Sequence, residues 1–553
     1  MTNARATTIN GVPKLVVDLL RRRGLSDDET LRFVYPDYAR DLHDPFLMSG
    51  MREAVARVVQ AAAAGERVVV YGDYDIDGMT ASAIMIEGLA AQGITATSYI
   101  PDRFEEGYGI NLAALEQLAA EGVTLVVSVD CGITSVAEAA WAREHGLDVI
   151  ITDHHNPPPQ LPEAVAVVNP KQPGDEYPFK DLCGAGVAFK LVQALQTTTG
   201  QPAAGQEKWL LDLVALGTVC DVVNLVDENR TLVSYGLKVL RQTRRPGLVA
   251  LAHVAGVQVE TLSSYHLGYV LGPRMNAAGR LEHASKALEL LQTNDAARAI
   301  EIATELDTLN LRRRDEQGEA FEAASLMAEA RPEDLVLVLA DSNWSHGIVG
   351  IVASKLVEAY HKPTLVAQIM GETTKGSARS VGSFNMVEAL RANSHLLTKF
   401  GGHFFAAGYT LPTENIAALR AGLADYFVAT GASADRPAEI TPDLEIDGLG
   451  ELTWTTYEAL GLLEPHGAGN PAPVLAINRV ELDRPGGVGK DRQHLRTGLR
   501  DQFGVQLGAI GFGLASQKTY TSGDRVRVCG RLDVNEYLGK KSLQVIITSI
   551  ENE

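Results

Sequence analysis

From Met51 onward, short runs of consecutive apolar residues alternate with stretches in which apolar positions recur every three to four residues. A strand buried on both faces carries no polar alternation, whereas a helix lying on a sheet needs only one apolar stripe. The alternation therefore predicts an α/β fold, with a mostly parallel sheet wrapped by helices. Strands are expected at 68–71, 95–100, 125–129 and 148–152, and helices at 80–91, closed by Gly93, and at 136–145. This doubly wound pattern runs to about residue 200.

The rest of the chain divides by character. Residues 13–23 form a short amphipathic piece with Pro13 suited to a first helical position and Gly24 behind it. Residues 1–50 are thus expected to be a small N-terminal cap, and residues 51–282 an α/β domain. Residues 283–330 are rich in Ala, Leu and Glu with almost no Gly or Pro, and are read as a helical connector. A second α/β domain, 331–438, opens with the apolar run 335–340. Residues 439–553 show strand-like pieces at 505–510, 525–528 and 542–547 with turns between them, as a small β-barrel does.

Composition changes this picture little. The 553 residues are 46% hydrophobic and 21% charged, ordinary values for a folded chain of roughly three to four domains. The N-terminus has no apolar leader, no run approaches the ~20 residues of a membrane span, and Cys131, Cys183, Cys220 and Cys529 form no C-x-x-C pair. A cytoplasmic, membrane-free monomer is the expectation. A net charge of -20 argues against a nucleic-acid partner, yet residues 373–403 set Lys375, Arg379, Arg391 and Lys399 against the single acid Glu388. A basic face can exist on an acidic molecule.

Three acidic clusters follow three expected strands directly: Asp73, Asp75 and Asp77 after the first, Asp130 after 125–129, and Asp153-His154-His155 after 148–152. Open α/β sheets gather ligands at these carboxyl ends. A fourth acid, Asp221, follows the apolar stretch 209–219. Converging carboxylates repel one another unless cations lie between them. Oxygen donors supplemented by imidazole suit Mn2+ or Mg2+, and two such ions about 3.5–4 Å apart are the apparatus of phosphodiester hydrolysis. Asp73 and Asp153 could equally be capping residues or groups that orient ligands.

Asp153-His154-His155 and the run 72–78 (Gly-Asp-Tyr-Asp-Ile-Asp-Gly) resemble the DHH phosphoesterase superfamily. The runs 272–281, 344–353 and 401–408 are similar to its RecJ-type single-strand-specific exonucleases, and His466-Gly467-Ala468-Gly469-Asn470-Pro471 introduces the last domain. The resemblance implies a DHH domain, a long helix, a DHH-associated domain and an oligonucleotide-binding (OB) barrel. It implies metal ligation by Asp75, Asp77, Asp130, His154 and Asp221, with Asp130 bridging two cations and His155 near the scissile phosphate. The implied activity is 5′ to 3′ hydrolysis of single-stranded DNA to 5′-mononucleotides, in DNA repair and recombination, alongside a single-strand-binding protein and a helicase. Alternatives are a phosphodiesterase of short or cyclic oligonucleotides and a non-catalytic replication scaffold. The chain departs from the pattern at Tyr71, where simpler members carry a His four residues before Asp75, which implies one more loosely held metal. Cys220 stands where alanine is more usual, and no further domain is read beyond the OB barrel.

Substrate contacts are expected where glycines let backbone amides approach phosphate and Arg or hydroxyl groups add donors. These are Arg274, Asn276 and Arg280, then Ser377, Arg379 and Ser380, then Gly401, Gly402 and His403. On the barrel, Tyr520, Tyr537, Lys540 and Lys541 are candidates for stacking bases and following a backbone.

Overall fold

Strands β1 (Val68–Gly72) and β3 (Leu125–Val129) are buried at every position, which is why their sequences show no alternation. The structure is a computed structural model that describes residues 9–103, 106–434 and 441–552, so residues 1–8 and the expected boundary at 438/439 lie outside the described residues. With β2 (Thr97–Tyr99), β4 (Asp148–Thr152) and β5 (Ala166–Val168), these strands make one parallel sheet in the order β2-β1-β3-β4-β5. The strand β5 has only three residues beside a proline-rich loop, too little pattern to be foreseen. Register decides the site. Gly72 pairs with Val129 and Val129 with Thr152, so Asp73, Asp130 and Asp153 leave three adjacent strands side by side. The switch in strand order lies between β1 and β3, where open sheets form their crevice.

Beyond β5 the first domain is helical. The helices Gly184–Thr199, Leu211–Cys220 and Asp227–Leu240 bury their apolar residues in one core with the sheet. The expected connector is no free spacer. It comprises the helices Ser285–Gln292 and Ala296–Glu329, the latter 34 residues or about 50 Å long. Ala299, Ile302, Ala303 and Leu306 belong to the first core, and Ala320, Ala324 and Ala328 to a core of the second domain. One rod is thereby welded into two domains.

The second sheet comprises β6 (Leu337–Asp341), β7 (Thr364–Met370), β8 (Thr373–Arg379), β9 (Lys399–Gly402) and β10 (Ala406–Pro412), in the order β6-β7-β8-β10-β9. The third is built from β11 (Leu444–Ile446), β12 (Leu475–Val488), β13 (His494–Arg500), β14 (Gln506–Gly511), β15 (Arg525–Tyr537) and β16 (Lys540–Asn552). Pairing of β12 with both β13 and β15 closes the last five into a barrel, with β11 added at its edge. The N-terminal segment packs on two parts of the molecule. Val12, Val16, Val17, Leu19, Leu20 and Val34 share the barrel's core, while Tyr38, Leu42, Phe46 and Met48 pack on the first domain. The apolar stripe of the helix Lys14–Arg22 is covered by the next helix, Asp27–Val34, and by the far end of the chain.

Candidate metal centre and cleft

Each acidic side chain is aimed by the element that carries it. Asp75 caps the helix Ile76–Ala91, accepting from Gly78 N at 3.1 Å, and Asp77 lies in that helix's first turn. Asp77 is buried and accepts from Gly184 N at 2.5 Å and Ala185 N at 2.8 Å, so the positive end of the helix Gly184–Thr199 faces its charge. Gly184 permits that approach, since a Cβ there would lie 2.5 Å from Asp130 Cβ. Asp130 has φ +61°, a left-handed turn that directs its carboxylate back across the strand ends.

His154 is the hub. Its Nε2 lies 3.1 Å from Asp130 Oδ1, 3.7 Å from Asp221 Oδ2 and 3.8 Å from Asp77 Oδ2. Among the described residues, neither His154 ring nitrogen has a hydrogen-bond partner, and the same holds for Asp130 Oδ1 and Asp73 Oδ1. Buried polar atoms are rarely left so. Among the described residues, three donor sets have ligand atoms within 4.8 Å of one another: Asp77, His154 and Asp221; Asp73, Asp75 and Asp130; and Asp130, His154 and His155. Asp130 and His154 each belong to two of these sets. The donors are oxygen and imidazole without sulfur, a chemistry that fits Mn2+ or Mg2+.

Asp153 differs from Asp73, with which the sequence groups it. Its Oδ1 accepts from His154 N (2.7 Å), His155 N (3.0 Å) and His155 Nδ1 (2.7 Å), and its Oδ2 from Ile133 N (2.9 Å). Saturated in this way, it orients the two histidines. Burial alone would raise the Asp153 carboxyl, but the hydrogen bond and charge of His155 outweigh it and hold it below the usual range. In return, Asp153 overcomes the burial of His155 and raises that imidazole. Tyr108 Oη lies 3.0 Å from His155 Nδ1. Burial and then neighbouring carboxylates push up Asp73, Asp130 and Asp221, the last to about 9. Burial likewise raises Asp77, and Asp75 adds to the effect although His154 opposes it. Such a cluster favours protons or cations over bare charge. Tyr71 stays apart from the site, its ring in the core on the other face of the sheet and its hydroxyl donating to Gly109 O.

Cations gather beside the acids. Arg280 is lowered to about 10 by burial and then by Arg103 and Arg313, while Asp75 acts in the opposite sense. Burial and Arg103 also lower Arg379; Lys375 feels burial, Lys399 and Arg103. His346, at the start of the helix His346–Tyr360, is lowered to about 4 by burial, Lys375 and Arg103. These groups, from three parts of the chain, repel one another until an anion joins them. Ser377 lies in the same region, since a Cβ on Gly350 would be 3.3 Å from both Ser377 Oγ and an Arg379 terminal nitrogen. Other expected contacts are engaged elsewhere. Arg274 pairs with Asp307 at 2.9 Å and donates to Val270 O, and Ser380 Oγ donates to Phe384 O. Gly401, Gly402 and His403 are exposed on and just beyond β9.

The residues match three family models: the DHH family N-terminal domain over 67–218, the DHHA1 domain over 333–429 and the RecJ OB domain over 443–549. The single-stranded-DNA-specific exonuclease RecJ of Bacillus subtilis is 39% identical over 543 residues, 97% of this chain and 68% of the relative. Escherichia coli RecJ is 35% identical over 525 residues, 91% of this chain and 90% of the relative. The chain belongs to the RecJ family. The crystal structure of Thermus thermophilus RecJ in complex with Mn2+ superposes with a TM-score of 0.84 at 32% identity, covering 98% of this chain and 76% of that one; its Mg2+ complex gives 0.78.

In this RecJ-family chain, a cleft of about 980 Å³ runs from Arg280 and Arg313 to the barrel. Tyr265 and Tyr269 line it, both exposed, with ring centroids 5.2 Å apart, and Phe512 and Arg531 face it from the barrel. Asn276 also lines it. The four barrel residues named from the sequence do not. Tyr520 packs against the barrel core, and Tyr537, Lys540 and Lys541 lie at the exposed ends of β15 and β16, where Lys541 pairs with Glu536 at 3.6 Å. Polar-aromatic composition alone could not tell a barrel's hairpin tip from its cleft wall. Arg103, Tyr108, Arg313 and the Tyr265/Tyr269 pair escaped the sequence reading. Only the place of Arg103 and Tyr108 after β2, near the switch in strand order, could have flagged any of them.

Proposed function

We propose that this chain is a single-stranded-DNA-specific exonuclease that works 5′ to 3′, releases 5′-mononucleotides and uses two divalent cations, Mn2+ or Mg2+. The observation that carries the reading is a juxtaposition: buried donor atoms without partners beside a group of unneutralised cations, at one end of an aromatic-lined cleft. Asp75, Asp77, Asp130, His154 and Asp221 would hold the cations, and Asp73, with its unpartnered buried oxygen, is a sixth donor. When bound, the cations supply charge at the phosphoryl and leaving oxygens and acidify water.

The chain's own groups do the rest. Asp153 keeps His155 charged through Nδ1, leaving Nε2–H for a phosphate oxygen or the departing O3′. Hydrolysis forms one P–O bond from water and breaks the P–O3′ bond, with O3′ leaving protonated. The strand then ends in a new 5′-phosphate. Arg280, Arg103 and Arg379 receive that dianion for the next cycle, and unpaired bases stack on Tyr265, Tyr269 and Phe512. Partners that strip or unwind strands, a single-strand-binding protein and a helicase, fit a role in repair and recombination. Four free cysteines fit the cytoplasmic setting.

The test is a long single strand carrying a label at either end, digested with Mn2+. The 5′ label should leave first, as a mononucleotide. Release of the 3′ label first overturns the polarity, and internal fragments or a strong preference for dinucleotides overturn the exonuclease reading.

A further inference from the structure

Asp221 is the one candidate ligand outside the three segments that follow β1, β3 and β4; it caps the helix Leu211–Cys220 and is followed by a strained residue. Val222 has φ +62° and is 70% exposed. A β-branched residue in the left-handed region persists only where its surroundings over-determine it, and an exposed valine gains nothing from packing. The loop's restraints come from two sides. Within the first domain, Asn229 Nδ2 donates to Asn224 O (3.0 Å) and Asn224 Nδ2 to Asp181 Oδ2 (2.6 Å). From beyond it comes the turn 466–470 that introduces the barrel domain.

That turn is built for close approach. Gly467 and Asn470 bond each other's backbone, leaving Ala468 and Gly469 at the tip. Ala468 O accepts from Leu225 N at 2.7 Å. A Cβ on Gly469, whose φ is +68°, would stand 2.9 Å from Asn224 Cβ, and one on Gly467 2.7 Å from Leu225 Cδ1. Behind the tip the strap is fastened to the catalytic domain and the N-terminal helix. Ser264 Oγ donates to His466 O (2.7 Å), and Arg230 donates to the carbonyls of Leu462, Leu463, Glu464 and Phe33. Arg23 donates to Asn470 Oδ1 and Pro471 O. A buried guanidinium bonded only to carbonyls is a costly fastening, kept where position matters.

We propose that the turn 466–470 of the barrel domain is a positioning element for Asp221, bracing the loop 222–225 so that the carboxylate stays in the metal site. Seating of the barrel and holding of the metal are then linked, each favouring the other. This rests on the metal-centre reading given above.

The test is titration of the full chain with Mn2+ by calorimetry, comparing the unaltered protein with Gly469→Ala and Gly467→Ala, each checked by circular dichroism. Gly469→Ala should raise the apparent Mn2+ dissociation constant about tenfold or more, as loss of groups that support metal ligands does. Its exonuclease rate should recover at saturating Mn2+. Adding Val222→Gly, which removes the left-handed cost, should restore part of the affinity. A normal Mn2+ isotherm in Gly469→Ala, or a lower rate at saturating Mn2+ with an unmoved midpoint, overturns the proposal and makes the turn merely structural. Should Gly469→Ala not fold, the milder Gly467→Ala decides between the same outcomes. Failure of the unaltered chain to bind Mn2+ instead overturns the metal-centre reading, and this inference with it.

Discussion

Replacing Asp153 by Asn separates what the DHH aspartate does from what the metal ligands do. The carboxylate faces three donors with Oδ1 and the Ile133 amide with Oδ2. Asn keeps one oxygen, and its best orientation turns that oxygen to the three donors and its NH2 toward Ile133 N–H. One buried amide is then unsatisfied and the remaining bonds lose their charge assistance, a cost of about 2–3 kcal/mol. For a domain of this size that lowers melting by roughly 5–10 °C. The catalytic effect is larger at high pH. Without the Asp153 charge, burial is opposed by Asp73 and Asp77 but no longer by Asp153, so the raised His155 imidazole comes down. Where His155 works protonated, the alkaline limb of kcat/KM moves to lower pH. Activity should drop about 10–100-fold near pH 8 and by less near pH 6. The assay is release of acid-soluble label from a 5′-labelled strand at saturating Mn2+ across pH 5.5–9. A deficit of the same size at every pH refutes the charged role of His155, and an unchanged melting point refutes the hydrogen-bond account.

Asp77→Ala should lower cleavage about 10³-fold, the equivalent of several kcal/mol of charge stabilisation, while strand binding measured by fluorescence anisotropy survives. Arg280→Ala should reduce the preference in kcat/KM for a 5′-phosphorylated over a 5′-hydroxyl strand by about 10–100-fold, the worth of one bond to a charged group. Lys190→Met leaves Glu228 charged in a fully buried site that otherwise bonds His43 N and Tyr177 Oη. Urea unfolding should show a loss of about 3–5 kcal/mol with activity per folded molecule unchanged. His346 and His466 are both lowered to about 4, chiefly by burial, so the unfolded chain binds protons that the folded chain refuses. Stability is complete above pH 6.5 and is lost as pH falls toward 4, by at most about 3 kcal/mol for each group; an acid-unfolding midpoint unmoved in His466→Asn refutes this.

How much was legible follows from where the information lies. The residues 125–129 read as a strand because a buried parallel strand must be apolar throughout, and Asp130 read as a site residue because the strand's carboxyl end is where ligands gather. Arg274 and Arg280 look alike in sequence, six residues apart on one helix. Packing gives the first an ion pair with Asp307, while the second, donating to Gly347 O, has no carboxylate partner among the described residues and lies beside Asp75. Asp73 and Asp153 are also alike as strand-terminal acids. Turn geometry fills one with four donors and leaves an oxygen of the other with none.

The sequence by itself determined the α/β order, the acids and histidines of the candidate metal centre and the family, since these depend on local periodicity and on motifs with fixed spacing. The tertiary structure decided which cations face the acids, which barrel wall lines the cleft, and that the N-terminal helix packs with the C-terminal barrel. It also brought the turn 466–470 against the loop after Asp221. Contacts between residues hundreds of positions apart depend on strand register and the fit of apolar faces, and neither leaves a local mark in the chain.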